Sequence, residues 1–492
     1  MLILFKVKEV KKLAGQTLIY GLGTIVPRFL HYAVLTPFYT RIFTNTSDYG
    51  VVTELYAWMV VLLVVLTYGM ETGFFRFVQN NEESDKVYNT ALISLFFTSL
   101  LFIILVNIFI KPVSVVMNYR NNYDYIRMFA GIVAIDAFSA IPFARLRKEN
   151  KPLVFSIIKI LNVIITLGLV IFLLKIAPII YQKNNGWFKN VYNPDYKVGY
   201  IFLANLVSSG VTMLMLLPVI LKVRFSFDFG LWRRMFNYSY PLLLAGLSGA
   251  INDAIDKILL RRMIGEEEGL SILGKYGAAY KIGVLMALFI QMFRFAAEPF
   301  FFERGNRSDA KETYAFVMKY FIILMLIVFL GINLYISGFQ YIIGKNYRDA
   351  IVVVPIISMA YLMYGIYINH SIWYKLNDLT RYAVYITLIG AVITVLINIL
   401  FIPSFGYMAS AWAHVASYGS MIIFSFIFAE KHYKVDYEMK KVFSYFILAI
   451  AMVLFGYYYD YKSIGMEIGI NSILILVFIA YAQYKDKVLT VF

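Results

Sequence analysis

"YGVVTELYAWMVVLLVVLTYGMETGFF" occupies Tyr49–Phe75. It is a single apolar run, interrupted only by Glu54 and Glu71, and it exceeds the ~20 residues needed to cross a bilayer. Its two ends return later in the chain. Tyr49-Gly50 recurs as Tyr276-Gly277, and at the same offset Glu71 meets Glu298 and Phe74-Phe75 meets Phe301-Phe302. A second, weaker match aligns Pro194, Ala204, Ser208 and Gly210 with Pro403, Ala413, Ser417 and Gly419. Two matches in the same order predict a duplication: residues 1–221 as one six-helix lobe, 222–441 as a second, and 442–492 as two additional transmembrane helices. Six spans per copy insert both copies the same way up. Parallel repeats of this kind are a transporter architecture, with substrate held between the halves.

Composition agrees. The chain has 492 residues, 61% hydrophobic and 15% charged, where a soluble domain carries about 25% charged residues. About fourteen candidate spans run from Leu13–Phe38 to Met466–Tyr484, the last pair being the weakest. The expected fold is an all-α polytopic membrane protein with two parallel six-helix repeats around a central cavity. No cysteine is present, which removes disulfides, thiolate nucleophiles and Cys-ligated metals. The four histidines lack metal-ligand spacing, so no metal site or cofactor is expected beyond a coupling ion. The net charge of +16 sits in short loops between apolar runs. That is the signature of membrane topology and gives no reason to expect nucleic acid as a partner. Basic residues favour the loops on the N-terminal side by roughly two to one, which predicts both termini in the cytoplasm. The N-terminus shows no small-residue cleavage site. No loop has room for a soluble catalytic domain, so an enzyme is not expected.

Charges inside spans are costly and mark functional faces. Arg28 and Asp136 fall near the midplane of spans 1 and 4. Asp253, Asp256 and Lys257 share one face of span 7, at spacings i, i+3 and i+4. Asp253 and Lys257 could form an i,i+4 ion pair, as could Arg294 and Glu298 in span 8. Lys159 is expected to snorkel to the surface. At the repeat offset Glu54 corresponds to Lys281, and these opposite charges could meet as an outer gate.

The runs "LAGQTLIYGLGTIVPRFLHYAVLTPFYTRIF" (13–43), "YGVVTELYAW" (49–58), "IDAFSAIPFARLRKENKP" (135–152), "NDAIDKILL" (252–260), "YGAAYKIGVLMALFIQMFRFAAEPFFF" (276–302) and "IPSFGYMASAWA" (402–413) carry a family resemblance. The chain resembles Wzx-type polysaccharide (O-antigen) flippases of the MOP superfamily, which also holds the MATE drug exporters and the lipid II flippase. The likeness extends to Bacteroidetes proteins named for polysaccharide or lipopolysaccharide biosynthesis. The resemblance implies movement of a polyprenyl-diphosphate-linked oligosaccharide from the cytoplasmic to the periplasmic leaflet of the bacterial inner membrane, by alternating access. It implies membrane lipids, a polysaccharide polymerase and glycosyltransferases as neighbours. It implies diphosphate contacts from Arg28 and Arg294, with Lys257, Arg41 and Arg76 as weaker candidates. Asp253, Asp256 and Asp136 could then take a coupling H⁺ or Na⁺.

Two rivals stay open at this point. A MATE-like exporter of small organic cations shares the fold, but Arg28, Lys257, Lys281 and Arg294 disfavour an acidic cavity. A membrane glycan polymerase or ligase needs catalytic residues in a large outer loop. The longest such loop, Lys175–Lys197, holds one acid, Asp195, and no histidine.

Overall fold

The computed structural model describes residues 21–79, 84–183, 186–221, 226–304, 309–377 and 379–488. Among them every regular element is helical. Hydrocarbon offers backbone groups no water to bond, so each apolar run must satisfy its own N–H and C=O groups. Among the described residues twelve helices are long and apolar enough to cross a membrane, including both members of the expected last pair, Met439–Tyr458 and Ile464–Asp486. The two other expected spans have their own forms. Leu13–Phe38 begins outside the described residues; its described part is helical over 21–30 and passes through a π-helical turn, His31–Leu35, into Thr36–Ile42. Tyr240–Leu260 lies within a 36-residue helix, Phe229–Ile264, whose charges separate it from the other twelve.

Packing divides the chain into two units. Among the described residues, one comprises 21–31 and Asn45–Gly274; the other comprises Tyr32–Thr44 and 275–488. These are packing units. The lobes 1–221 and 222–441 are a different partition, which rests on sequence repetition.

In the first unit the main helices are α1 (Thr46–Thr67), α2 (Met70–Gln79), α3 (Ser84–Ile108), α4 (Tyr123–Lys148), α5 (Pro152–Ile171), α6 (Val198–Ile220) and α7 (Phe229–Ile264), with the first half of α8 (Glu266–Gly283). Helix α1 starts at Asn45, whose side chain accepts from the Ser47 N–H at 3.0 Å, and α7 starts at Asp228, which accepts from Leu231 at 2.8 Å. Both caps satisfy amides that have no partner inside the helix. Helix α1 stops where Tyr68 and Gly69 take positive φ angles. Helix α4 is the hub, packed on α1, α3 and α6, while α7 packs on α1.

The second unit holds α9 (Leu285–Arg304), α10 (Ala310–Leu334), α11 (Val354–His370), α12 (Arg381–Phe405), α13 (Tyr407–His432), α14 (Met439–Tyr458) and α15 (Ile464–Asp486). Helix α13 packs on α11 and α12, and α10 packs on α11, α14 and α15. Burial is inverted relative to a soluble protein. Phe97, Leu153, Leu400 and Ile447 are more than half exposed, as lipid contact requires. Thr394, Asn398, Ser410 and Ser417 are fully buried, and two bonds join α12 to α13: Ser410 donates to Asn398 Oδ1 at 2.8 Å and Ser417 to the Gly390 carbonyl at 3.0 Å. Polar side chains joining helices in this way are a common device in membranes.

Candidate functional site

At one end of the first unit, Glu54 near the start of α1 is buried, and its carboxylate accepts from the guanidinium of Arg261 at the end of α7 and from Tyr119 Oη at 2.6 Å. Arg261 also donates to the carbonyls of Met117 and Asn118, and Arg262 to that of Val116. The Tyr119 hydroxyl sits between spans. Burial and then the adjacent Glu54 charge push its pKa well up, so it remains a donor. Lys281, the expected gate partner of Glu54, belongs to the second unit, where its ammonium lies 5.0 Å from the ring centre of Tyr32. Sequence reading passed over Arg261 because "RR" at a span's end reads as an ordinary basic flank.

One turn earlier on α7, Lys257 Nζ reaches Asp256 Oδ1 at 3.1 Å and the backbone oxygen of Asp253 at 2.6 Å. Lys257 thus forms an ion pair with its neighbour Asp256 and meets the carbonyl of Asp253 one turn back. Asp256 is fully buried, Lys257 nearly so, and Asp253 half-buried.

Midway along the unit, α1, α4, α5 and α6 enclose a polar cavity of 330 Å³, lined by Asp136, Ser139, Phe143, Lys159, Asn162 and Thr212 among others. Asp136 Oδ1 accepts from Ser209 at 2.8 Å. Lys159 does not snorkel away: its ammonium sits 4.1 Å from the centre of the Phe143 ring. The charges of Asp136, Glu71, Arg147 and Arg28 all reach it. Arg28 itself is exposed.

The opposite end of the unit carries a paired basic cluster. Arg147 engages Glu71, and Arg145 engages Asp85 at 3.0 Å and Glu149 at 2.7 Å. Burial alone would raise the pKa of Glu149, but hydrogen bonds from Arg145 and Lys151 outweigh it and hold the carboxyl below its ordinary range. Arg76 is exposed on α2.

In the second unit Glu298 sits between two cations, Arg294 at 3.6 Å and Lys375 at 2.5 Å. The expected i,i+4 pair is present, and Lys375 joins it from the helix that follows α11. The Arg294 side chain keeps 52% of its surface exposed, so the pair leaves guanidinium area available to an anion. Arg41 donates to the Tyr341 carbonyl at 2.9 Å. A cavity of 660 Å³ forms an apolar groove along α10, α11, α13 and α14, walled by side chains such as Phe329, Met359, Ile422 and Ile450. One mouth is polar: Lys319 there bridges Glu438 at 2.6 Å and Asp486 at 2.7 Å. Hydropathy counts could not have located this groove. It depends on how α14 stands beside α10.

Among the described residues no group of three or more His, Asp or Glu side chains could hold a metal ion.

The fold is similar to that of a structure titled "Lipid II flippase MurJ, inward closed conformation", with a TM-score of 0.73 and 13% identity, covering 95% of this chain and 99% of that one. It is also similar to a MATE structure in complex with MaD3S (TM-score 0.61, 16% identity, 85% and 96% covered). A third similar structure is a MOP superfamily transporter from Pyrococcus furiosus (TM-score 0.57, 14% identity, 86% and 97% covered). No curated protein matches the chain in sequence. The family model described as "Polysaccharide biosynthesis protein" matches residues 13–304. That is more than half of the 492 residues, and this multi-pass membrane chain belongs to the polysaccharide biosynthesis protein family.

Proposed function

We propose that the protein is a flippase for a lipid-linked glycan: it carries a polyprenyl-diphosphate-linked oligosaccharide from the cytoplasmic to the periplasmic leaflet of a bacterial inner membrane. The observation that carries the reading is the apolar groove of 660 Å³ along α10, α11, α13 and α14. Away from its mouth such a groove offers an organic cation no counter-charge. An isoprenoid tail gains from it, because it can stay in an apolar slot while its headgroup crosses in a wet path. The half-exposed Arg294, with Lys375 beside it, suits the diphosphate, since a guanidinium can grip phosphate oxygens in pairs. Arg28 is accessible for the same task. Arg41, Arg76 and Lys257 are weaker candidates, because Arg41 is held by a carbonyl, Lys257 is tied to Asp256, and Arg76 lies in the last turn of the short helix α2. Asp253 and Asp256 remain the proposed site for a coupling H⁺ or Na⁺. The Glu54–Lys281 gate rests on their pseudo-equivalent positions and is decided by charge reversal at each site and the double swap. The family and the similar structures support a transporter over a glycan polymerase or ligase. Association with a polymerase and glycosyltransferases belongs to this same proposal.

Filling the groove tests the reading. Ile422→Trp and Ile450→Trp should each cut glycan export at least about tenfold, the effect of losing one good apolar contact or more from a tail site. Export is read as surface polysaccharide per copy of membrane-inserted protein. Unchanged export in both variants would sink the groove's role and return the small-cation exporter to contention.

A further inference from the structure

We propose that the polar cavity inside the first unit, between α1, α4, α5 and α6, is a binding pocket for one uncharged sugar residue of the cargo. The proposal rests on the flippase reading above and adds a site within it.

The pocket is lined by polar groups whose hydrogen-bonding capacity is only partly used. Ser139 Oγ is buried and, among the described residues, unpaired. Lys159 Nζ lines the same space with no hydrogen bond or ion pair among the described residues, resting only on the Phe143 ring. Asp136 uses one oxygen for Ser209. It shares the cavity with Lys159 and feels its charge, yet no direct ion pair closes between them. A buried polar atom without a partner costs about 1–3 kcal/mol; Ser139 Oγ is such an atom, and Lys159 and Asp136 beside it add a donor and an acceptor with unused capacity to the same space. Asp136, Lys159 and Asn162 each keep part of their surface accessible, so the space can be entered.

Charge decides the class of occupant. A bare cation needs a cage of net negative charge, and the Lys159 ammonium cancels Asp136. A diphosphate needs surplus fixed cations, and Asp136 removes the surplus. Asp136 and Lys159 are the two charges in the lining and are opposite in sign; beyond it Glu71 is paired with Arg147 and Arg28 lies outside the lining, so the pocket offers a donor-only group at one point and an acceptor-only group at another. A pyranose ring supplies what each lacks, hydroxyls that donate to Asp136 and accept from Lys159 and Ser139. The Phe143 ring offers a flat apolar wall for the C–H face. Asn162 is pre-set, since its Nδ2 donates to Thr212 at 2.9 Å and leaves its amide oxygen for a ligand. The 330 Å³ volume lies at the lower end of the ~300–1,000 Å³ of small-molecule sites, enough for one sugar residue.

The test uses the full-length protein in nanodiscs and two kinds of probe: polyprenyl diphosphate, and the same lipid carrying one hexose, N-acetylhexosamine or uronic acid. Wild-type protein should hold at least one neutral glycosylated lipid about tenfold or more tighter than the bare lipid, the worth of one charge-assisted hydrogen bond. Lys159→Met and Asp136→Asn should each reduce that advantage to about threefold or less. Both variants should keep their affinity for bare polyprenyl diphosphate, which also shows that they are folded; Ser139→Ala should give an intermediate loss. No sugar advantage in wild type, or an advantage that survives both charge substitutions, overturns the pocket while leaving the flippase reading standing. An advantage confined to the uronic acid overturns its neutral character. Stabilisation by Na⁺ that Asp136→Asn abolishes and Lys159→Met leaves intact makes it a cation site and overturns it too. Failure of wild type to bind even bare polyprenyl diphosphate removes the flippase reading and the pocket together.

Discussion

Glu54 and Arg261 are separated by 207 positions in the chain, and both side chains are almost wholly buried. Removing one member of such a pair leaves an unmatched charge and typically costs about 3–5 kcal/mol, while removing both with good packing is far less harmful. We therefore expect Glu54→Leu and Arg261→Leu each to lower the thermal midpoint of the purified protein sharply. The double variant should recover much of the loss. A double variant as unstable as the sum of the singles would show that the two residues act independently. The same pair marks a limit of reading charges from sequence. That Glu54 needed a cation was legible from its place in a span. Which cation it takes depends on where α7 ends against α1, and the nearest candidate by internal repetition was Lys281. Likewise Lys159 looked free to extend to the surface, and only the placement of Phe143 and Asp136 around it explains why it stays.

Helix contacts account for the most recognisable motif in the chain. Gly50, the second residue of the repeated Tyr-Gly pair, lies where α1 meets α8: a Cβ there would sit 2.0 Å from the Leu270 carbonyl oxygen. Gly274 faces the start of α1 in the same way, 1.9 Å from Thr46 O. Small residues let helices in membranes approach this closely. Gly50→Ala should therefore destabilise the protein by about 1–3 kcal/mol, as overpacking does. Gly210→Ala, where an added Cβ meets nothing within 4 Å, should be nearly silent or mildly stabilising. Thermal midpoints of the two variants decide the matter, and equal effects would contradict the close-approach account. Element positions were largely legible, because a span must be apolar for about 20 residues. Their ends were not. The 36-residue α7 begins well before its apolar stretch, carried by the stacked rings of Phe229, Trp232 and Phe236, and such aromatic stacking leaves no hydropathy signal.

On the scale of the whole molecule, sequence repetition and packing describe different things. Repetition assigns α7 to the second copy, as the first helix of residues 222–441. Packing groups α7 with the first unit, through α1, α2 and α3. Internal similarity preserves ancestry, whereas contacts record one arrangement of the helices, so the two partitions need not coincide. The all-helical, many-span architecture was legible from composition and basic-loop bias; the groove and the neutral pocket required coordinates. The central claim is movement of a lipid-linked glycan between leaflets. Its most direct test is depletion of the protein, followed by labelling of polyprenyl-diphosphate-linked glycans with a probe confined to the outer face of the inner membrane. Complete lipid-linked units should accumulate while outer-face labelling collapses, and both should recover when the protein is restored. Outer-face labelling that persists at its original rate after depletion would contradict the account.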